Sequence, residues 1–286
     1  MNYTNLIDDK NYLVINNNEI VGGNYNSLDF DKSDDYKISC EINKDTHHVI
    51  NIKKGKAIKL LEIIDIKDGN YDLVINIEDG ASLDYTSLRK SNNDTNINMT
   101  INLGDGAILN TKHINIFSKS LKFREELNAK GIHSDINSMD VVINCSGCVQ
   151  TYDIASHHTK DLSNCYMRNY VINNNTSITH MNTNGFIENG TKGVVISQKT
   201  KGLLLDLNSE ISANPLLCIS EYDCNASHGA SIGAINEEEL YYLMSRGLTK
   251  EDSERLIVQG FINPFILGLD NENLKNFILE ETNKIL

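Results

Sequence analysis

The sequence predicts a mainly β fold, an irregular β-helix that ends in a small C-terminal α-helical module. Three observations carry this. Short β-branched runs recur along most of the chain, separated by clusters of Asn, Asp, Gly and Ser. Turn pairs such as Asp68-Gly69, Asp79-Gly80 and Asp105-Gly106 fall between runs, where Gly supplies a positive φ and Asp closes the turn. Near residue 235 the apolar spacing changes from a strand period to a helix period.

Taken in order, the strand runs lie at 12–15, 48–52, 71–77, 96–103, 107–109, 114–117, 141–143, 193–196 and 203–205. The stretch 96–103 alternates strictly, placing Ile97, Met99, Ile101 and Leu103 on one face. Many short strands imply a sandwich, a barrel or a solenoid. No crisp repeat is legible, but the abundant Asn suits solenoid corners, where amide side chains bond along the stack; the β-helix leads. After it, Asn236 caps a helix whose first turn carries Glu237, Glu238 and Glu239, and Gly247 stands where such a helix ends. Thr249 opens a second helix with Leu256 and Ile257 apolar and Gly260 at its end. A last amphipathic helix covers 271–286. The domain reading is therefore an N-terminal segment 1–30, a β-helix core 31–235 and a helical module 236–286.

Composition narrows the function. The chain has 286 residues and is 40% hydrophobic, enough for a large core. Lys and Arg number 26 against 39 Asp and Glu, a net charge of −13. So acidic a chain does not suit a phosphate backbone or an anionic membrane. The N-terminal stretch lacks a basic and an apolar signal region, and no apolar run approaches the roughly 20 residues that span a bilayer. The six scattered cysteines are unlike a secreted disulfide framework. These features predict a reduced, cytoplasmic protein without nucleic-acid or membrane partners. No G-x-x-x-x-G-K-[ST] phosphate loop occurs, so no bound nucleotide is expected.

Several residues are candidates for chemistry. Cys145 and Cys148 form a C-x-x-C pair that Cys165, or His157 with His158, would complete as a metal site; chance proximity in a six-cysteine chain is the alternative. His47 and His48 begin a strand and read as surface.

The stretch from Ser227-His-Gly-Ala230 through Gly233 and Glu237 to Leu240-Tyr-Tyr-Leu-Met-Ser-Arg-Gly247 resembles the signature of the SufB/SufD family of iron–sulfur cluster assembly scaffolds. The likeness continues through Glu254-Arg-Leu-Ile-Val-Gln-Gly-Phe261, and upstream through Ala155-Ser-His-His158, Gly185-Phe-Ile187, Gln198 to Leu205, and Pro215. It covers roughly residues 155–266, and the chain resembles the abbreviated SufD-like members that accompany a single ATPase. The resemblance implies a right-handed parallel β-helix whose helical module docks an ABC-type ATPase, SufC, with two β-helix proteins pairing through their last strands. The second protein is another copy or a SufB-like paralogue. A sulfur donor feeds the pair, a transient iron–sulfur cluster assembles on it, and ATP is hydrolysed in the partner, so the chain itself is a non-catalytic scaffold.

Residue by residue, His228 falls on the histidine the family places near the pair interface as an iron ligand. Where SufB-type members have an acceptor cysteine this chain has Ser209, and where they have a glutamate it has Gly229; both departures are SufD-like. Cys218 and Cys224 lie between Pro215 and His228 and have the thiolate chemistry to hold iron, although a free cysteine is also a common core residue. Leu240, Tyr241, Leu243, Met244 and Phe261 are the expected ATPase contacts, with Arg246 at the rim or bonding helix carbonyls. Two other classes compete. A carbohydrate-active β-helix enzyme would carry an Asp cluster and aromatic platforms, and this chain has no Trp. A plain protein-binding solenoid would not require the 240–247 string.

Overall fold

The computed structural model describes residues 11–145, 147–269 and 271–283. Strands alternate between two sheets as the chain coils. One sheet contains β1 (Tyr12–Asn16), β2 (Glu19–Gly23), β4 (Asp34–Ile42), β6 (Ala57–Ile66), β8 (Ser82–Ser91), β10 (Ile108–Phe117), β12 (Asp135–Asn144), β14 (Asn164–Asn173), β16 (Val194–Leu204) and β18 (Cys224–Ala234). The other contains β3 (Asp29–Phe30), β5 (Thr46–Ile52), β7 (Tyr71–Ile77), β9 (Thr95–Leu103), β11 (Leu121–Ala129), β13 (Val149–His158), β15 (Ile178–Ile187) and β17 (Glu210–Ile219). Neighbours within each sheet are parallel, except the β1–β2 hairpin. The fold is a parallel β-solenoid. Strands β1 to β3 belong to the same sheets, with Leu13, Ile15 and Phe30 buried in the common core, so the segment set apart as 1–30 is solenoid from Tyr12 onward; residues 1–10 lie outside the described residues.

Because parallel strands stack in register, each side chain sits on its counterpart one turn earlier. On the outer face of the smaller sheet this makes an amide ladder. Asn76 Nδ2 donates to Asn51 Oδ1 at 2.9 Å, Asn102 to Asn76 at 2.9 Å and Asn128 to Asn102 at 3.1 Å. These rungs are 25 or 26 residues apart, whereas Asn182 on Asp153 and Asn214 on Asn182 are 29 and 32 apart. The turn lengthens along the chain, which is why no repeat is legible. Replacing Asn102 by Ala removes two rungs and is expected to cost about 1 kcal/mol in denaturant unfolding; an unchanged midpoint would show that the ladder adds no stability.

The lumen is apolar on many turns but carries one continuous polar row. Glu62, Ser87, His113, Asp140, Asn169 and Thr200 stack in register, all buried. Arg89 is 1% exposed beside this row; its Nη2 lies 3.0 Å from His113 Nδ1, and its guanidinium stands 4.8 Å from the Phe123 ring centre. His113 Nε2 meets Glu125 Oε1 at 3.3 Å. Burial, and then the Arg89 charge, push His113 down to about 3, while burial lifts Glu125 to about 7 and Asp140 to about 6. A neutral His113 makes the Glu125 contact a hydrogen bond rather than an ion pair. His48, expected at the surface, is also buried, 3.1 Å from the Tyr71 hydroxyl.

The helical tail is α1 (Glu237–Ser245), α2 (Lys250–Ile266) and α3 (Glu272–Asn283). Asn236 Oδ1 accepts from the N–H groups of Glu238 and Glu239, and Thr249 Oγ1 from that of Asp252, so both expected caps are present. Gly247 has φ +98, the left-handed turn that ends α1. Helix α2 does not stop at Gly260 but continues through Pro264 to Ile266. Gly260 is exposed and costs only about 1 kcal/mol in a helix. Beyond it, Ile262, Phe265 and Ile266 bury against Ile63, Leu88, Ile114, Val141 and Tyr170 on the outer face of the larger sheet. That packing outweighs the local stop signal. Helix α3 adds Leu274 and Ile278 to the same cluster.

Candidate functional site at the open end of the solenoid

The two ends of the solenoid differ. At the first turn, Tyr25, Phe30 and Tyr36 pack against one another with ring centres 4.5–5.8 Å apart, and Phe30 and Tyr36 are buried. At the last turn nothing among the described residues covers β17 and β18, and Leu216, Ile219 and Ile232 are exposed. Both strands are sheet edges with unpaired backbone groups, a template for another chain.

Register decides which candidate residues face the lumen. Val194, Ile196, Gln198 and Thr200 of β16 point inward and are buried, and their partners in β18 are Cys224, Ala226, His228 and Ala230. Ser227 Oγ donates to Ser197 Oγ at 3.4 Å on the opposite, outer face, which agrees with that parity. Cys224 and His228 therefore share the lumen face of the last strand. Cys224 packs against the Ile187, Val194 and Ile196 cluster, and its Sγ donates to the Glu221 carbonyl at 3.3 Å. In β17 the inward positions are Ile211, Ala213, Pro215, Leu217 and Ile219, because Thr179, Met181 and Thr183, with which Ile211, Ala213 and Pro215 align, are buried. Cys218 is thus on the outer face, in register with Phe186 and away from the other two. Four strand steps separate Cys224 from His228 by about 13 Å, too far for one metal ion. Among the described residues no three His, Cys, Asp or Glu side chains gather as a metal site.

Other expected residues scatter. Ser209 is a corner residue, hydrogen bonded to Asp206 and accepting from the Ser177 N–H at 3.1 Å. Cys145 packs under the helical tail, and Cys165 is buried in the lumen; burial pushes each thiol up to about 12. His157 bonds Glu126 at 2.7 Å and stacks on Phe186, while His158 is buried against Ser163. The C-x-x-C pair and its proposed completers point into separate environments, so they do not form one site; Ser146 lies outside the described residues. Sequence reasoning placed Gln198 only within a family-like string. The structure puts it 1% exposed and one register step from His228, and its Oε1 has no hydrogen-bond partner. The signal available beforehand was its even offset from Ile196, which places it on a lumen face.

On the tail, α1 buries none of its residues. Tyr241 is 75% exposed, Tyr242 55% and Met244 42%, with Leu240 and Leu243 half-buried. Arg246 holds its guanidinium 5.2 Å from the Tyr242 ring centre and donates to that hydroxyl at 3.3 Å, rather than to helix carbonyls. Phe261 is not on this surface: it packs edge-on against Tyr170, ring centres 5.7 Å apart, inside the cluster that fastens α2 to the sheet. Among the described residues no helix is long and apolar enough to cross a membrane.

The sequence matches the profile of the SUF system FeS cluster assembly SufBD core domain over residues 41–261. The chain belongs to the SufBD family. The match begins far upstream of Ala155, in the turns where the quoted motifs are silent. Among curated SufBD relatives, the chain is 36% identical over 118 residues to the iron–sulfur cluster assembly protein SufD of Bacillus subtilis, 41% of this chain and 27% of that protein. It is 42% identical over 90 residues to a SufBD family protein of Pyrococcus horikoshii (29% and 20%), and 35% identical over 77 residues to SufD of Escherichia coli (27% and 18%). The matched stretches span about a quarter or less of these SufBD proteins.

Proposed function

We propose that this SufBD chain is a non-catalytic scaffold component of a cytoplasmic SUF-type cluster assembly complex. The observation that carries the reading is the uncapped last turn, with His228 on its lumen face. It pairs through β17 and β18 with a second copy or a SufB-like paralogue, burying roughly 1,200–2,000 Å². It binds a SufC-like ABC ATPase through the exposed face of α1. A sulfur donor loads the pair and a transient iron–sulfur cluster is its cargo.

The register supports a shared site rather than one held by a single chain. With Cys224 and His228 about 13 Å apart on one strand, a cluster that wants four ligands draws them from both partners. Closing and opening the pair would then assemble and release the cluster, which gives ATP hydrolysis in the partner a mechanical task.

In a strain lacking the wild-type gene, His228→Ala is expected to lower iron–sulfur enzyme activities while leaving ATPase binding intact. Normal activities would remove the histidine from the ligand set. Sedimentation of the isolated chain at micromolar concentration is expected to show a dimer; a monomer would contradict self-pairing and assign the edge to a paralogue.

A further inference from the structure

We infer that Gln198 is the positioning residue of His228: its side-chain carbonyl accepts one imidazole N–H and leaves the other ring nitrogen, with its lone pair, for metal at the open end. The inference rests on the reading of His228 as a ligand.

Gln198 and His228 are register partners on adjacent strands, on the same lumen face, with strands about 4.8 Å apart. The row below them runs Thr111, Ser138 and Met167, so Gln198 is the last fully covered residue beneath the exposed histidine. Its amide has one defined direction. Nε2 lies 3.5 Å from the Leu216 carbonyl of β17, across the lumen. Gly185 makes the space: a Cβ there would stand 3.1 Å from Gln198 Nε2 and 2.9 Å from Leu217 Cδ2. With the nitrogen turned to β17, Oε1 is left as an acceptor and has no partner. A buried carbonyl without a donor carries a desolvation penalty that Leu or Met at this position would not.

The one-register neighbour that can supply an N–H is the imidazole. Neutral imidazole carries one N–H and one lone pair, so a bond from the first to Gln198 fixes which nitrogen is the ligand. Metal-binding histidines are commonly oriented by such an outer acceptor. Ser197 and Ser227 are engaged with each other on the far face, so neither competes for Oε1.

The test is the tautomer of His228, read by two-bond proton–nitrogen correlation on the full-length, nitrogen-15 histidine-labelled protein above pH 8, without metal. In the wild type His228 is expected to give a single tautomer. Gln198→Leu is expected to lose that selection and show a mixture, while Gln198→Glu, which still presents an acceptor, retains it. Circular dichroism and melting of each variant report whether the last turn is intact, a readout that a purely structural role would move instead. The same tautomer pattern in wild type and in a folded Gln198→Leu would overturn the inference. The two readings fail separately: a locked tautomer with indifferent His228→Ala cells removes the ligand role alone, and an unlocked tautomer removes the positioning role alone.

Discussion

Tyr241→Asp combined with Met244→Asp is expected to abolish co-purification with the SufC-like ATPase while leaving thermal unfolding unchanged. Neither side chain is buried in the isolated chain, so charge at these positions disturbs little of the fold. At the centre of an interface the same residues would be anchors. A loss of about 2 kcal/mol for each amounts to about a thousand-fold weaker binding for the pair. Deleting 236–286 is a poorer test, because it would uncover Ile63, Leu88, Ile114 and Val141, which α2 and α3 cover. Phe261→Ala is the control: packed on Tyr170, it should lower stability and leave binding by the folded fraction intact. Undiminished ATPase capture by the Tyr241/Met244 double variant would move the docking surface elsewhere.

Arg89→Ala is expected to be the most destabilising single change, at about 3–5 kcal/mol, because it strips the cation from a fully enclosed Glu125 and Asp140. The same cluster sets a pH dependence. Glu125 and Asp140 hold protons in the folded chain at pH values where the unfolded chain has released them. Stability therefore falls as pH rises from the ordinary carboxylate range through about 7. His113 acts oppositely, since it stays neutral when folded but takes a proton when unfolded below about 6.5. Two carboxyls outweigh one imidazole, so the net slope between pH 5 and 7.5 is downward. The surface carboxylates held low by backbone donors, Glu78, Asp79 and Glu221, act below that window. Glu125→Gln should flatten the slope and gain up to about 3 kcal/mol relative to wild type at pH 7.5, measured by denaturant melts at several pH values. Parallel profiles for the two proteins would show that Glu125 titrates normally.

Much of the architecture is visible in the residues, and the exceptions have physical causes. The alternation at Ile97, Met99, Ile101 and Leu103 marks a strand because these four lumen positions are all apolar. Strand β10 reads as two fragments, 107–109 and 114–117, because Thr111 and His113 are lumen residues that bond Ser138 and Ser87 of the neighbouring turns rather than solvent. Strand β16 breaks in the same way around Gln198 and Thr200. His48 looks like surface because a buried polar residue is told from an exposed one only by its partner, here Tyr71, which is 23 residues away. At the site, Cys224 and His228 share a face by simple even spacing. Assigning Cys218 to the other face needs the register of a strand in the other sheet, which local sequence does not carry. Gln198 is silent in sequence because its significance is a missing hydrogen bond.

In the proposed arrangement the open end of this SufBD solenoid holds a cluster only as a pair, through His228. The most direct measurement is anaerobic co-expression with the SufC-like ATPase, followed by iron and acid-labile sulfide analysis of the purified complex, for wild type and His228→Ala. Iron and sulfide are expected in the wild-type complex, and their loss in a His228→Ala complex that still contains the ATPase. Equal iron and sulfide in both complexes would contradict it.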